Sequence, residues 1–323
     1  MKILAVTEFP AASVNGSHRA ALRSIGIDYR IATRTAYMRC EVDWCLDVGY
    51  IDGMKEFAEA ADLIQFHPAI GQPWSYQDMT PRYEPVERLP FGNITRWPDV
   101  PRIYYFHGSR NAAANIEKYR EYYSGRGDIW ASTVDYAYKM QAYYAPPCFD
   151  YSQYQRAPLR TDDCPLVVCH TPTDPGNCHT DVFKAAFYNK SDVIPVFGTG
   201  KPHIHTMAMK ARCHAGFDHL RGGYSVNTLE NCALGLVPLC AMPKELVELA
   251  EYYGGRPLPS IWQQQIDRDT IADIVRTLAA DPGLTRRYQQ EAYDWQRHVF
   301  DPKRVAELLA AEYAECCSTK ELD

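Results

Sequence analysis

The chain has 323 residues, of which 46% are hydrophobic and 23% charged, and its formal net charge is −6. That length exceeds what one compact α/β domain needs and suits two, each with its own core. A mildly acidic chain without a charge block argues against non-specific nucleic-acid binding, which depends on phosphate neutralisation by Lys and Arg. No run approaches the roughly 18 apolar residues of a membrane span. The eleven cysteines are odd in number and form no Cys-x-x-Cys pair, so they read as reduced core thiols. The opening MKILAVTEF is too short for a signal peptide and runs into a polar loop, which predicts a cytoplasmic protein.

In chain order, residues 2–9 form a short apolar run with β-branched and aromatic character, followed by a polar loop with Asn15-Gly16-Ser17. A helical pattern then runs through Ala20, Leu22 and Ile25 and stops at Gly26, and residues 29–33 read as a second strand. Strand, helix and strand at this spacing predict a parallel βαβ unit. A helix over 54–61 leads to a strand over 62–66 ending at His67-Pro68. Residues 71–101 are rich in Pro, Trp and Tyr without a period and read as an elaborated loop. Strands over 102–106, ending at His107-Gly108, and 129–134 complete the first half.

Residues 146–165 carry four prolines and no hydrophobic period, which marks a candidate linker. Beyond it, strands are expected over 166–169, 193–197, 215–217 and 237–240, with helices over 181–188, 204–211, 228–234 and 244–253. A helical tail over 267–315 breaks at Asp281-Pro282-Gly283 and Asp301-Pro302. The expected organisation is therefore an α/β protein of two Rossmann-like domains, 1–150 and 151–300. A closing helix, 301–323, is placed to pack back on the first.

The most informative stretch is FDHLRGGYSVNTLENCALGLVPLC, residues 217–240, read as strand end, glycine loop, short helix, Gly stop and buried strand. Gly222 and Gly223 permit positive φ and close approach of a ligand to the backbone. A helix starting at Ser225 or Asn227 aims free N–H groups at that loop, an arrangement suited to a diphosphate. Glu230, one turn in, is placed to accept hydrogen bonds from a ribose diol. The same Asn227-x-x-Glu230 spacing is also a capping box.

The sequence GGYSVNTLENCALGLVPL resembles the donor-binding signature of retaining, GT-B-fold glycosyltransferases of family four, G-F/Y-G-x-x-x-L-E-A-M-A-x-G-x-P-V. The resemblance extends to the strand ending in His170-Thr171-Pro172-Thr173, to the closing helices and to His107-Gly108-Ser109. It implies a GT-B architecture with a helical C-terminal tail and a nucleotide-diphosphate-sugar donor, with transfer by retention and no metal or other cofactor. It also implies roles: Glu230 holds the nucleotide ribose, and the backbones of Gly223, Tyr224 and Ser225 contact diphosphate or sugar. His107 stands at the reacting centre, and Asn15, Gly16 and Ser17 close over the donor phosphates. The family's first glutamate of the Glu-x7-Glu pair is Gly222 here, with Asp218 the nearest acid. Its phosphate-binding cations are also missing after the second domain's first strand, where His170 stands, so Arg221 or Lys201 is the expected substitute.

His67 could line the acceptor side. Gly198-Thr199-Gly200-Lys201 is not a Walker loop, and His203, His205, Cys213 and His214 do not match a zinc framework. Tyrosine clusters in the first half suit stacking on a carbohydrate or a base, while most of these rings are expected to pack in the core or on the surface. The acceptor is thus a glycan, a small metabolite or, least favoured by charge, a modified DNA base. The alternatives are a nucleotide-sugar epimerase of the same fold and a non-catalytic nucleotide-sugar-binding protein.

Overall fold

The structure, a computed structural model, describes residues 1–7, 14–35, 41–67, 91–106, 116–123, 125–172, 175–176, 178–188 and 190–318. It divides into two compact units, Met1–Phe149 with Pro302–Asp323, and Asp150–Asp301.

The first unit is built on a seven-stranded sheet, all of whose pairings are parallel. Its strands are β1 (Lys2–Thr7), β2 (Asp28–Thr33), β3 (Trp44–Cys45), β4 (Leu63–His67), β5 (Arg102–Phe106), β6 (Asp128–Ala131) and β7 (Tyr143–Tyr144), in the order β3-β2-β1-β4-β5-β6-β7. Burial on both faces explains the apolar runs of β1 and β5, while β4 is equally buried but carries Gln65 and His67. The helices are α1 (Val14–Ser24), α2 (Met54–Glu59), α3 (Ile116–Tyr123) and α4 (Val134–Met140). A closing helix, labelled α11 below, covers Pro302–Ser318. Val305, Ala306, Leu309 and Tyr313 of that helix join Ile3, Leu22, Ile31, Tyr105 and Trp130 in one core. The Trp130 and Tyr313 rings stack 4.8 Å apart.

The second unit holds a four-stranded parallel sheet of β8 (Leu166–His170), β9 (Val193–Phe197), β10 (Ala215–Phe217) and β11 (Val237–Leu239), ordered β11-β10-β8-β9. Its helices are α5 (Thr180–Phe187), α6 (His203–Lys210), α7 (Val226–Ala233), α8 (Lys244–Gly254), α9 (Ile271–Ala280) and α10 (Pro282–Val299). Asp281 caps α10, its side chain accepting from the Leu284 N–H, with Pro282 in the first turn where its missing N–H costs nothing.

Three sequence expectations need correction. Gly16 and Ser17 lie in the first turn of α1, not in a loop before it. The strand expected over 129–134 ends at Ala131, and Val134 already begins α4 behind the N-cap Thr133. The candidate linker is, from Asp150 onward, a packed strap. Its buried Arg160 donates to the carbonyls of Leu278 and Ala279, the last turn of α9, where a cation meets the negative end of the helix. Within the tyrosine clusters Tyr104, Tyr105, Tyr123, Tyr136 and Tyr144 are buried, in line with the expectation that most pack in the core or on the surface.

Candidate functional site

In the second sheet the chain passes from β8 to β9 on one side, then crosses to β10 on the other. The carboxyl ends of β8 and β10 therefore flank a topological switch point, the place where open parallel sheets present a ligand crevice. Thr171 follows β8 and Asp218 follows β10, and both turn toward the start of α7. The Ser225 side chain caps that helix, accepting from the N–H groups of Asn227 and Thr228.

Two buried carboxylates anchor this edge. Asp218 accepts from the Ser225 hydroxyl, the Thr228 hydroxyl at 2.5 Å and the Asn227 amide at 2.9 Å. Burial opposes its charge, but His219 and these three donors outweigh burial and hold the carboxyl below its ordinary range. Glu230 accepts from Lys210 Nζ at 2.8 Å on one oxygen and from His203 Nε2 at 2.7 Å on the other. Burial again opposes ionisation, and the Lys210 charge with the His203 hydrogen bond overcomes it, so this carboxyl too sits below its ordinary value. Lys210 is fully enclosed and also donates to Asn227 Oδ1 at 2.6 Å. One continuous chain thus runs Asp218, Asn227, Lys210, Glu230, His203. The His203 side chain, 33% exposed, is its outlet to the surface.

The capping-box alternative for Glu230 does not describe this geometry. Ser225 is the N-cap, and the Glu230 oxygens point to α6. Lys210 and His203, the two partners of Glu230, are residues to which sequence reasoning gave no role beside it. They lie seven residues apart on α6 and so share a face, with Met207 one turn from His203 between them, in a helix that also carries His205 and Thr206.

The glycine loop is strained in the way its residues permit. Gly222 and Gly223 have φ of +93° and +83°, and a Cβ on Gly222 would lie 3.0 Å from Pro243 Cγ. A side chain at 222 would meet both a positive φ and Pro243, so the loop as built does not accommodate the glutamate that the resemblance leads one to expect there. Asp218 is buried and turned to the start of α7, its Oδ2 accepting from Ser225 and Thr228 and its Oδ1 from Asn227. The Tyr224 ring is buried against Trp262 and Trp295, at 5.8 and 5.7 Å, which leaves only its backbone to a ligand. Arg221 and Lys201 are exposed on loops of this same carboxyl edge.

His170 is a correction. Its ring is buried beside Phe183 and Phe217, Nδ1 meets the Phe217 carbonyl at 3.1 Å, and Nε2 meets the Thr180 hydroxyl at 2.9 Å. Burial lowers its pKa, and it packs the sheet against α5 and does not face a phosphate. The zinc alternative also disperses: His203 faces Glu230, Cys213 donates to the Met209 carbonyl, and His214 Nδ1 accepts from the Val167 N–H. His107 and the Asn15 side chain lie outside the described residues, and Gly16 and Ser17 are half-buried in α1.

No protein-family model matches the chain, and no curated protein matches it in sequence. Solved structures do. HepE of Anabaena, in complex with UDP-glucose, aligns with a TM-score of 0.63 at 13% identity, over 98% of this chain and 100% of its own. An alpha-glucosyltransferase in complex with UDP and a 13-mer DNA aligns with 0.57 at 12% identity, over 97% and 99%. A UDP-N-acetylglucosamine 2-epimerase aligns with 0.51 at 11% identity, over 98% and 96%. The fold is GT-B. At these identities the likeness establishes the architecture alone, and GT-B proteins include both transferases and an epimerase. Among the described residues no helix is long and apolar enough to cross a membrane.

Proposed function

We infer that the chain is a glycosyltransferase that moves a sugar from a nucleoside-diphosphate sugar to an acceptor, with retention at the anomeric carbon and without a metal. The observation that carries this reading is the Glu230 carboxylate near the switch point, held ionised by Lys210 and His203 on the helix that follows the glycine loop. Each carboxylate oxygen has a lone pair beyond the bond it already accepts, which suits the two hydroxyls of a ribose. The loop backbone from Gly222 to Ser225 and the start of α7 suit the diphosphate, with Arg221 and Lys201 as its cations. The nucleotides named with HepE and the alpha-glucosyltransferase make a uridine donor the first to try.

In this reading the leaving diphosphate takes the acceptor proton on the face from which it departs, and donors already in place stabilise the charge developing there. His107 keeps its assignment next to the reacting carbon as part of the proposal. A glycan, a small metabolite or a modified base remains the acceptor class.

Replacing Glu230 with Ala should abolish binding of UDP and UDP-glucose by titration calorimetry, and unchanged affinity would sink the assignment. A donor panel separates the rival chemistries. Release of nucleoside diphosphate supports transfer, an isomerised donor supports the epimerase, and saturable binding without turnover supports a binding protein.

A further inference from the structure

The first unit holds a second polar chain, at the carboxyl end of β4. Gln65 and His67 are two residues apart on one strand and so share a face. Tyr313 of α11 reaches that face from the far end of the sequence. Its hydroxyl lies 2.5 Å from Gln65 Oε1, and Gln65 Nε2 lies 2.8 Å from His67 Nε2. All three side chains are buried, His67 to 1% exposure.

The geometry fixes where the protons are. A separation of 2.5 Å belongs to an O–H···O bond and is too short for N–H···O, so the Gln65 atom facing Tyr313 is the carbonyl oxygen. Reversing the amide would also leave the buried Tyr313 proton without an acceptor. The amide NH2 therefore faces His67, and a nitrogen that accepts from it carries no hydrogen. The neutral ring must then bear its single proton on Nδ1.

We propose that Tyr313 and Gln65 are positioning residues that hold His67 in its Nδ1–H form, so that the returning C-terminal helix determines which ring nitrogen donates at the carboxyl rim of the first sheet. The functional half of this proposal rests on the transferase reading, in which that rim is the acceptor side; the protonation half does not.

The test uses the full chain labelled with 15N-histidine, with His67 assigned by its loss in His67→Gln. Nδ1 should be protonated and Nε2 bare in the native protein. In Tyr313→Phe the amide loses its anchor, and the His67 signals should shift toward a mixture of tautomers. In Gln65→Glu a carboxylate faces the ring, and the proton should move to Nε2. Unchanged signals from the buried His18 and His170 would mark both variants as folded. A native Nε2–H form, or His67 signals that ignore Gln65→Glu, would overturn the proposal. Should Tyr313→Phe fail to fold, Gln65→Glu alone decides. For the functional half, Gln65→Glu should lower turnover of UDP-glucose about tenfold or more while its KM stays unchanged. Full turnover with a reversed tautomer would reduce the relay to a packing device. A chain that turns over no nucleotide sugar overturns the function proposed above and leaves the 15N result standing.

Discussion

The two units bury polarity in opposite ways. Among the described residues, the first unit's buried polar side chains are Thr7, His18, Thr33, Gln65, His67 and Ser132, none a carboxylate, ammonium or guanidinium. The second buries Arg160, Lys210, Asp218 and Glu230. Neutral networks lose one hydrogen bond when a member is removed. A paired charge loses its partner and stays buried, which costs far more. Three of these four, Lys210, Asp218 and Glu230, join one network at the switch point, the arrangement that the ligand-holding carboxylate proposed above requires.

The largest effect should come from Lys210→Met. It strands Glu230 in the interior, and unfolding in urea should show a loss of about 3–5 kcal/mol. Adding Glu230→Leu should recover much of it, since two apolar side chains leave no orphaned charge. The counterpart in the first unit, Tyr313→Phe, should cost about 1–2 kcal/mol. Equal costs would break the contrast between the units.

Acid should sharpen it. His18 is fully buried, and burial lowers its pKa from 6.5 to about 4; His170 is lowered by the same cause. Between these values and 6.5 the unfolded chain binds protons that the folded one refuses, so both units lose stability as pH falls below about 6.5. Asp218 and Glu230 are shifted down from 3.8 and 4.5. Their contribution is complete above those ordinary values and is lost as pH falls through the lower folded ones. Only the second unit should therefore show a further steep loss below about pH 4, read as the urea midpoint against pH. Glu230→Gln should flatten that lower limb and leave the upper one unchanged.

Gly222→Ala tests the loop between the two carboxylates. Its φ of +93° and the 3.0 Å approach of Pro243 to a new Cβ predict a cost of about 1–3 kcal/mol. Because the loop backbone must move, UDP affinity should fall as well. A variant of native stability would show that Pro243 yields and that sterics do not explain the missing acid.

Sequence patterns exposed the regular skeleton because buried parallel strands leave short apolar runs between turn residues. Residues 193–197 and 215–217 match β9 and β10 to the residue. Two-residue strands such as Trp44–Cys45 and Tyr143–Tyr144 are too short to carry a period. The helix over Ile116–Tyr123 hid behind tyrosines that read as stacking groups. At the site, motif spacing singled out Glu230, but its partners lie 20 and 27 residues earlier on another helix, and no local pattern reports such a pairing. A histidine and a lysine seven apart, on a helix whose buried residues are Met207 and Lys210, was the available signal. His170 misled because a strand-end histidine reads the same whether it turns to the rim or into the core.

The smallest expected effect separates the scaffold from the ligand site. Ser225 both caps α7 and donates to Asp218, so Ser225→Ala removes a cap and one of that carboxylate's donors. A cap is worth about 1 kcal/mol, and Thr228, Asn227 and His219 still hold Asp218 ionised. Thermal unfolding should therefore fall modestly, while UDP affinity stays close to native because Glu230, Lys210 and His203 are untouched. A loss of UDP binding as deep as that of Glu230→Ala would mean that the helix start, and not the Glu230 carboxylate, dominates recognition. The weight of the site would then move from the ribose to the diphosphate.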